Sequence, residues 1–283
     1  MDRSDLRQAT DERHHLLPRV IEPETLRLWL GDPRILIVDL SRRELYEQLH
    51  VPGAVHVVTR DLVAGVKPAT GKLPPRAQLK ALFSQIGLDA AHHVVVYDDE
   101  GGGWAGRFIW TLDVVGHEAW SYLNGGIHAW SAAGLPMESQ PVAPRESDYE
   151  VEVHPRPVAD AEDILEQLGD PKLVLWDARS KEEYRGERVS AARGGHIPGA
   201  VNLDWLDLMD PGRHYRLRED LDTLLAEHGI TPDRDLIVYC QTHHRSGLAY
   251  LVARHLNYGN VRGYHGSWSE WGNRDDTPVE QGG

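Results

Sequence analysis

The sequence predicts an α/β protein built from two tandem domains, each a mainly parallel sheet flanked by helices. Three observations predict it. Four motifs recur in the same order, 138–146 residues apart: Ile35–Asp39 as Leu173–Asp177, His50-Val-Pro-Gly-Ala-Val55 as His196-Ile-Pro-Gly-Ala-Val201, Val94–Tyr97 as Leu236–Tyr239, and Gly125…Trp130 as Gly266…Trp271. A period that long is the size of a domain, not of a solenoid repeat. Within each copy, short apolar, β-branched runs alternate with amphipathic stretches, the pattern of strands buried on both faces and joined by helices.

Taken in order, each copy opens with an apolar run ending in Asp (Asp39 or Asp177), read as a buried strand. A helical stretch follows, over 41–48 or 180–185, then the His-x-Pro-Gly-Ala turn and a short strand. Residues 78–86 and 220–228 carry apolar side chains at helical spacing and meet a glycine at the C-terminal end, Gly87 or Gly229. The central strand, 94–97 or 236–239, leads through a loop into another helix, over 106–115 or 247–256. Residues 137–157, rich in Pro, Glu and Ser without helical period, read as a linker. The expected division is a tail over 1–17, a first domain over 18–136, the linker, and a second domain over 158–283. The segment after Trp271 is polar and is expected to pack loosely.

The chain has 283 residues, of which 41% are hydrophobic and 26% charged, as in a folded globular protein. Its 30 Lys and Arg stand against 44 Asp and Glu, a net charge of −14 that repels phosphate backbones, so nucleic acid is not an expected partner. No run is long and apolar enough for a membrane helix, so no membrane partner is expected. The polar start, Met1 to His15, lacks the apolar core of a secretory signal, so a cytoplasmic location is expected. Cys240 is the one cysteine. It can form no intrachain disulfide, and with His243 and His244 it lacks a fourth ligand, so no metal is expected.

Cys240 follows the central strand of the second copy and begins the loop Cys240-Gln241-Thr242-His243-His244-Arg245-Ser246-Gly247. Ligands of open parallel sheets bind beyond the carboxyl ends of strands. A loop this short lets its backbone N–H groups, from Gln241 and Thr242 onward, converge on the sulfur, and the next helix aims its positive end there. Arg245, with His243 or His244 when protonated, adds charge. All three effects favour a thiolate and an incoming anion, so Cys240 is the expected nucleophile. Adjacent side chains diverge, so at most one of the two histidines is expected to face the sulfur.

In the first copy Asp98 stands where Cys240 does, followed by Asp99, Glu100 and Gly101-Gly-Gly103-Trp-Ala-Gly106. The glycines match a dinucleotide fingerprint, but three carboxylates crowd the place a pyrophosphate would need. This copy is expected to be structural.

The duplication, the Asp177, Arg179, Tyr184 and Gly195–Ala200 signature, and the Cys240–Arg245 loop together resemble the tandem-domain rhodaneses, with a loop text especially similar to those of the Azotobacter type. The resemblance runs from about Pro18 to Val279. It implies a thiosulfate sulfurtransferase working through a persulfide on Cys240 without a further cofactor, and an inactive first domain. It implies as partners a small anionic sulfur donor and a thiophilic acceptor such as cyanide, with a sulfur-accepting protein as the alternative, and a monomeric chain. Two positions depart from the vertebrate thiosulfate enzymes, which carry an Arg where this chain has Glu183 and a Lys where it has Thr242. The Gly-Ser-Gly loop of mercaptopyruvate enzymes is absent too. Asp177 and Arg179 are expected to hold the domain together, and His196, Pro198 and Gly199 to shape a turn. A cysteine phosphatase or arsenate reductase is the competing enzyme class. Those need five residues between Cys and Arg, whereas four separate Cys240 from Arg245. A persulfide carrier is the non-catalytic alternative.

Overall fold

A computed structural model describes residues 16–282. The expected tail over 1–17 falls almost wholly outside them. The first sheet contains β1 (Val20–Ile21), β2 (Ile35–Asp39), β3 (Val55–His56), β4 (His93–Tyr97) and β5 (Trp120–Leu123), in the order β1-β5-β4-β2-β3. The second contains β6 (Val158–Ala159), β7 (Leu173–Asp177), β8 (Val201–Asn202), β11 (Asp235–Tyr239) and β12 (Val261–Tyr264), in the order β6-β12-β11-β7-β8. All pairings within the two sheets are parallel, and substituting copy for copy gives the same order. The apolar runs seen in the sequence are the central strands: Asp39 pairs with Tyr97 at the end of one, Asp177 with Tyr239 at the end of the other.

Helices cover both faces. Those that matter for the site are α4 (Gly103–Val114), α7 (Lys181–Arg185), α9 (Arg245–His255) and α10 (Ser267–Trp271); the remainder are α1 (Pro23–Arg27), α2 (Arg43–Tyr46), α3 (Arg76–Gln85), α5 (Gly126–Ala132), α6 (Ala161–Gln167) and α8 (Leu221–Glu227). Helix α4 is buried everywhere except at Trp104, because it is sandwiched between its own sheet and α9 of the other domain. The two helices meet at Gly106 and Gly247. A Cβ on Gly106 would lie 2.2 Å from the Gly247 carbonyl oxygen, and one on Gly247 would lie 2.4 Å from the Arg107 nitrogen. The glycines that mimic a dinucleotide fingerprint therefore serve helix packing. One apolar cluster runs through this contact and joins the domains, with Phe108, Trp110 and Leu112 on one side and Leu248, Leu251 and Val252 on the other.

Three features add to or depart from the sequence expectation. The 137–157 segment has no helix and no named strand, but it is bound to the first domain rather than free. Val151 is buried, Ser147 donates from its N–H to the Ser84 carbonyl at 3.0 Å, and His154 to that of Val114 at 2.8 Å. The segment after Trp271 is also fixed. Arg193 donates to the Thr277 carbonyl at 2.7 Å, Trp271 to that of Pro278 at 2.8 Å, and His196 N–H to that of Glu280 at 2.9 Å. A two-stranded antiparallel ribbon, β9 (Met209–Asp210) and β10 (Arg216–Leu217), has no counterpart in the first copy. It reaches across the domains, pairing Arg216 with Glu22 at 2.8 Å and Leu217 N–H with Asn124 at 2.8 Å. Among the described residues no helix is long and apolar enough to cross a membrane.

Candidate active site

Strand β11 is buried between β7 and β12, and the chain leaves its carboxyl end at Cys240. The loop is then pinned from behind by α10: Trp268 N–H donates to the Cys240 carbonyl at 3.0 Å and Ser269 N–H to that of Gln241 at 2.9 Å. These bonds leave the loop's own N–H groups turned toward the sulfur. The Thr242 and Ser246 N–H groups and the Ser246 hydroxyl each act on it to lower the thiol. Burial alone would push the thiol up, since Cys240 is 1% exposed, but the Arg245 charge and these donors outweigh it and hold the thiol below its ordinary value. The arrangement is that of an activated thiolate at the start of an 11-residue helix.

The predicted loop residues follow Cys240 in one short turn, but their side chains do different things. Gln241 reaches outward and donates to the Ser190 carbonyl at 3.0 Å. Thr242 is covered by the first domain at Gly71, where any Cβ would fall 1.9 Å from the Thr242 carbonyl oxygen. His243 has a left-handed backbone (φ 57°), which turns its ring inward; the ring is fully buried, 4.6 Å from Trp110, with Nδ1 2.8 Å from Ser246 Oγ. Burial and the nearby Arg107 charge hold His243 well below the usual imidazole value, so it is neutral. His244 goes the other way, stacked on Trp104 at 4.3 Å and hydrogen-bonded to Glu100, both from the first domain. The two histidines thus diverge as expected. His243 is the one linked to the sulfur, through Ser246.

Arg245 is not the free cation that the loop suggested. Its guanidinium forms a bidentate pair with Glu183, at 2.6 and 2.9 Å. Glu183 is placed there by a capping box: Ser180 begins α7, its hydroxyl accepts from Glu183 N–H, and the Glu183 carboxylate accepts from Ser180 N–H. Where a vertebrate enzyme has Arg, this chain has the carboxylate that neutralises its own loop arginine. Behind the strand, Asp177 and Arg179 form a second ion pair at 2.5 Å; Arg179 also donates to the Gly195 carbonyl and lies against Trp268. Both residues are buried and act structurally, and the Tyr184 ring stacks on His196 at 3.6 Å to close the same turn.

The first domain has the same cradle, filled. Asp98 Oδ1 accepts from the N–H groups of Glu100, Gly101 and Gly102 at 2.9–3.1 Å, and Oδ2 from that of Ala105 at 2.9 Å. The loop's N–H groups are thus taken by its own carboxylate, which leaves no place for an incoming anion. Burial, with Glu100 alongside, raises the Asp98 carboxyl to about 6 despite those donors. Asp98→Ala is expected to leave most turnover intact while costing roughly 1–3 kcal/mol of stability, as buried donors lose their partner. Loss of activity in a variant that still shows the wild-type circular dichroism would contradict this.

Sequence reasoning missed Ser246, Glu183 as a partner of Arg245, and the contribution of Glu100, Trp104 and Arg107. The alignment of Asp98 with Cys240 carried part of the signal, because equivalent loops of a duplicated pair can face each other.

The chain is thus a duplicated parallel α/β protein with Asp98 filling one cradle and the lone Cys240 standing in the other. The rhodanese-like domain model matches residues 22–133 and 160–274, and the chain belongs to the rhodanese family. It is 51% identical over 264 residues to a thiosulfate sulfurtransferase of Azotobacter vinelandii, covering 93% of this chain and 97% of that protein. It is 49% identical to a thiosulfate sulfurtransferase of Pseudomonas aeruginosa over the same shares. Among solved structures, an anaerobic ergothioneine biosynthesis enzyme from Chlorobium limicola shares the fold, with a TM-score of 0.81 at 24% identity over 93% of this chain and 70% of that one.

Proposed function

We propose that this chain is a thiosulfate sulfurtransferase in which Cys240 carries the transferred sulfur as a persulfide. The observation that supports it best is the loop itself: a buried cysteine at the carboxyl end of β11, in a turn pinned by the Trp268 and Ser269 N–H groups just before α9, an environment that lowers its thiol. The Cys240 thiolate attacks the sulfane sulfur of thiosulfate. A bond forms between the two sulfurs, the bond from sulfane sulfur to the sulfonate breaks, and sulfite leaves with the electron pair. The outer sulfur of the persulfide takes the place of the donor anion among the loop N–H groups. A thiophilic acceptor such as cyanide then attacks that sulfur and departs as thiocyanate, returning the electron pair to Cys240. The same exchange serves a thiolate on an acceptor protein. No step needs a metal or an organic cofactor.

The geometry argues against phosphoryl chemistry. A phosphatase loop needs its arginine fork free for two phosphate oxygens, whereas the Arg245 fork is already taken by Glu183. Four residues between cysteine and arginine also make a tighter ring than a phosphoryl group needs.

The test is a steady-state assay with cyanide as acceptor and either thiosulfate or 3-mercaptopyruvate as donor, beside an aryl phosphate. Thiosulfate is expected to be the better donor, and the aryl phosphate to be inert. Phosphatase turnover with no cyanide-dependent sulfur transfer from either donor would overturn the proposal.

A further inference from the structure

We infer that Arg107, a residue of the first domain, supplies the unpaired positive charge of the Cys240 site, so that the domain without a nucleophile completes the active site electrostatically. The inference deepens the sulfurtransferase reading, and rests on it for the identity of the later anions the charge serves.

The cations around Cys240 are compensated one by one. Arg245 is paired with Glu183 and Arg179 with Asp177, although the Arg245 charge still lowers the Cys240 thiol. His243 is kept neutral by burial, His244 faces Glu100, and His265 faces Asp160 at 3.0 Å. Arg107 is different. It is fully buried at the start of α4, where this helix crosses α9, and among the described residues it has no carboxylate partner. Its Nη2 donates to the Leu62 carbonyl at 2.9 Å and its Nη1 approaches the His243 carbonyl of the cysteine loop at 3.5 Å. The guanidinium carbon lies 4.5 Å from the centre of the Trp110 ring, and Nε has no partner.

A buried guanidinium without a carboxylate is costly to fold. Burial lowers its pKa to about 9, which still leaves it charged at neutral pH, and an ionised Cys240 would favour that charge. The carbonyls of Leu62 and His243 hold the guanidinium at the inter-domain seam, and the cysteine loop is the element it faces there. Every charged state the proposed cycle brings to this place is an anion: the thiolate, the thiosulfate donor and the persulfide. A fixed cation therefore serves them all, and no neighbouring acid cancels it. Arg107 is a positioning charge, since it acts on Cys240 from across the loop.

The test is a pH titration of thiolate ultraviolet absorbance in the full-length protein. The single cysteine makes the signal assignable once the Cys240→Ser titration is subtracted. In Arg107→Met the ratio of thiolate to thiol at a given pH is expected to fall about tenfold, as for loss of one nearby opposite charge. Arg107→Lys should restore much of that loss, which a purely structural role in filling the seam would not. A folded Arg107→Met protein that titrates with the wild type overturns the inference, even if its turnover is lower. If the methionine variant does not fold, the wild-type protein with ¹⁵N-labelled arginine supplies the same answer. The Arg107 Nε resonance should then move across the Cys240 ionisation and stay still in Cys240→Ser, and a resonance indifferent to Cys240 in both proteins overturns the inference. Neither readout needs a sulfur donor. A wild type with the expected titration but no sulfur transfer would therefore count against the sulfurtransferase reading and not against the role of Arg107.

Discussion

Cys240→Ser is expected to abolish sulfur transfer, with a loss on the order of 10⁴-fold or more, the scale seen when a nucleophile is removed from a site whose other parts remain. The serine hydroxyl fits the space of the thiol, and the loop bonds from Trp268 and Ser269 use main-chain atoms that the change does not touch. What is lost is the ion. The Arg245 charge and the Ser246 and Thr242 donors hold the thiol below its ordinary value, whereas an alkoxide lies far beyond the reach of such a site. Because the sequence contains no second cysteine, nothing else in the chain can take over the sulfur. Steady-state cyanide turnover, read beside thermal unfolding to show that the fold survives, checks this result. Undiminished turnover would remove Cys240 from the mechanism.

Asp177→Ala should produce the largest loss of stability, about 3–5 kcal/mol, because it strands the buried Arg179. The two side chains are 0% and 1% exposed, and their closest approach is 2.5 Å. Alanine would leave the guanidinium with the Gly195 carbonyl and the face of Trp268, neither of which supplies negative charge. Adding Arg179→Met to the same chain should recover most of the loss, since removing both charges removes the penalty of an unpaired one. The midpoint of denaturant unfolding measures both steps. A double variant no more stable than Asp177→Ala would show that the Arg179 contacts, rather than the charge balance, carry the effect.

The fold was legible because its signals are local and doubled. Strands such as Val94–Tyr97 and Leu236–Tyr239 are buried on both faces, so they are apolar throughout and stand out in both copies. The β9–β10 ribbon was not legible, because strands of two residues are too short to show an alternating pattern. The segment after Trp271 read as loose because its anchors are polar bonds between residues far apart in sequence, such as Arg193 and Thr277. The site divides in the same way. Cys240 announces itself as a lone thiol after a core strand, and the divergence of His243 and His244 follows from their adjacency. The pairing of Arg245 with Glu183 spans 62 residues and depends on where α7 starts, which sequence spacing does not report. Arg107 shares its helix with the polar residues Thr111 and Asp113, and its importance depends on the crossing of α4 and α9, a contact between domains.

The central claim is that Cys240 holds a transferable sulfur, and intact-protein mass spectrometry tests it most directly. Wild-type protein incubated with thiosulfate and freed of donor should gain the mass of one sulfur atom and lose it on addition of cyanide, while Cys240→Ser treated in parallel should gain nothing. A wild-type mass unchanged by thiosulfate, or an added sulfur retained in Cys240→Ser, would contradict the account.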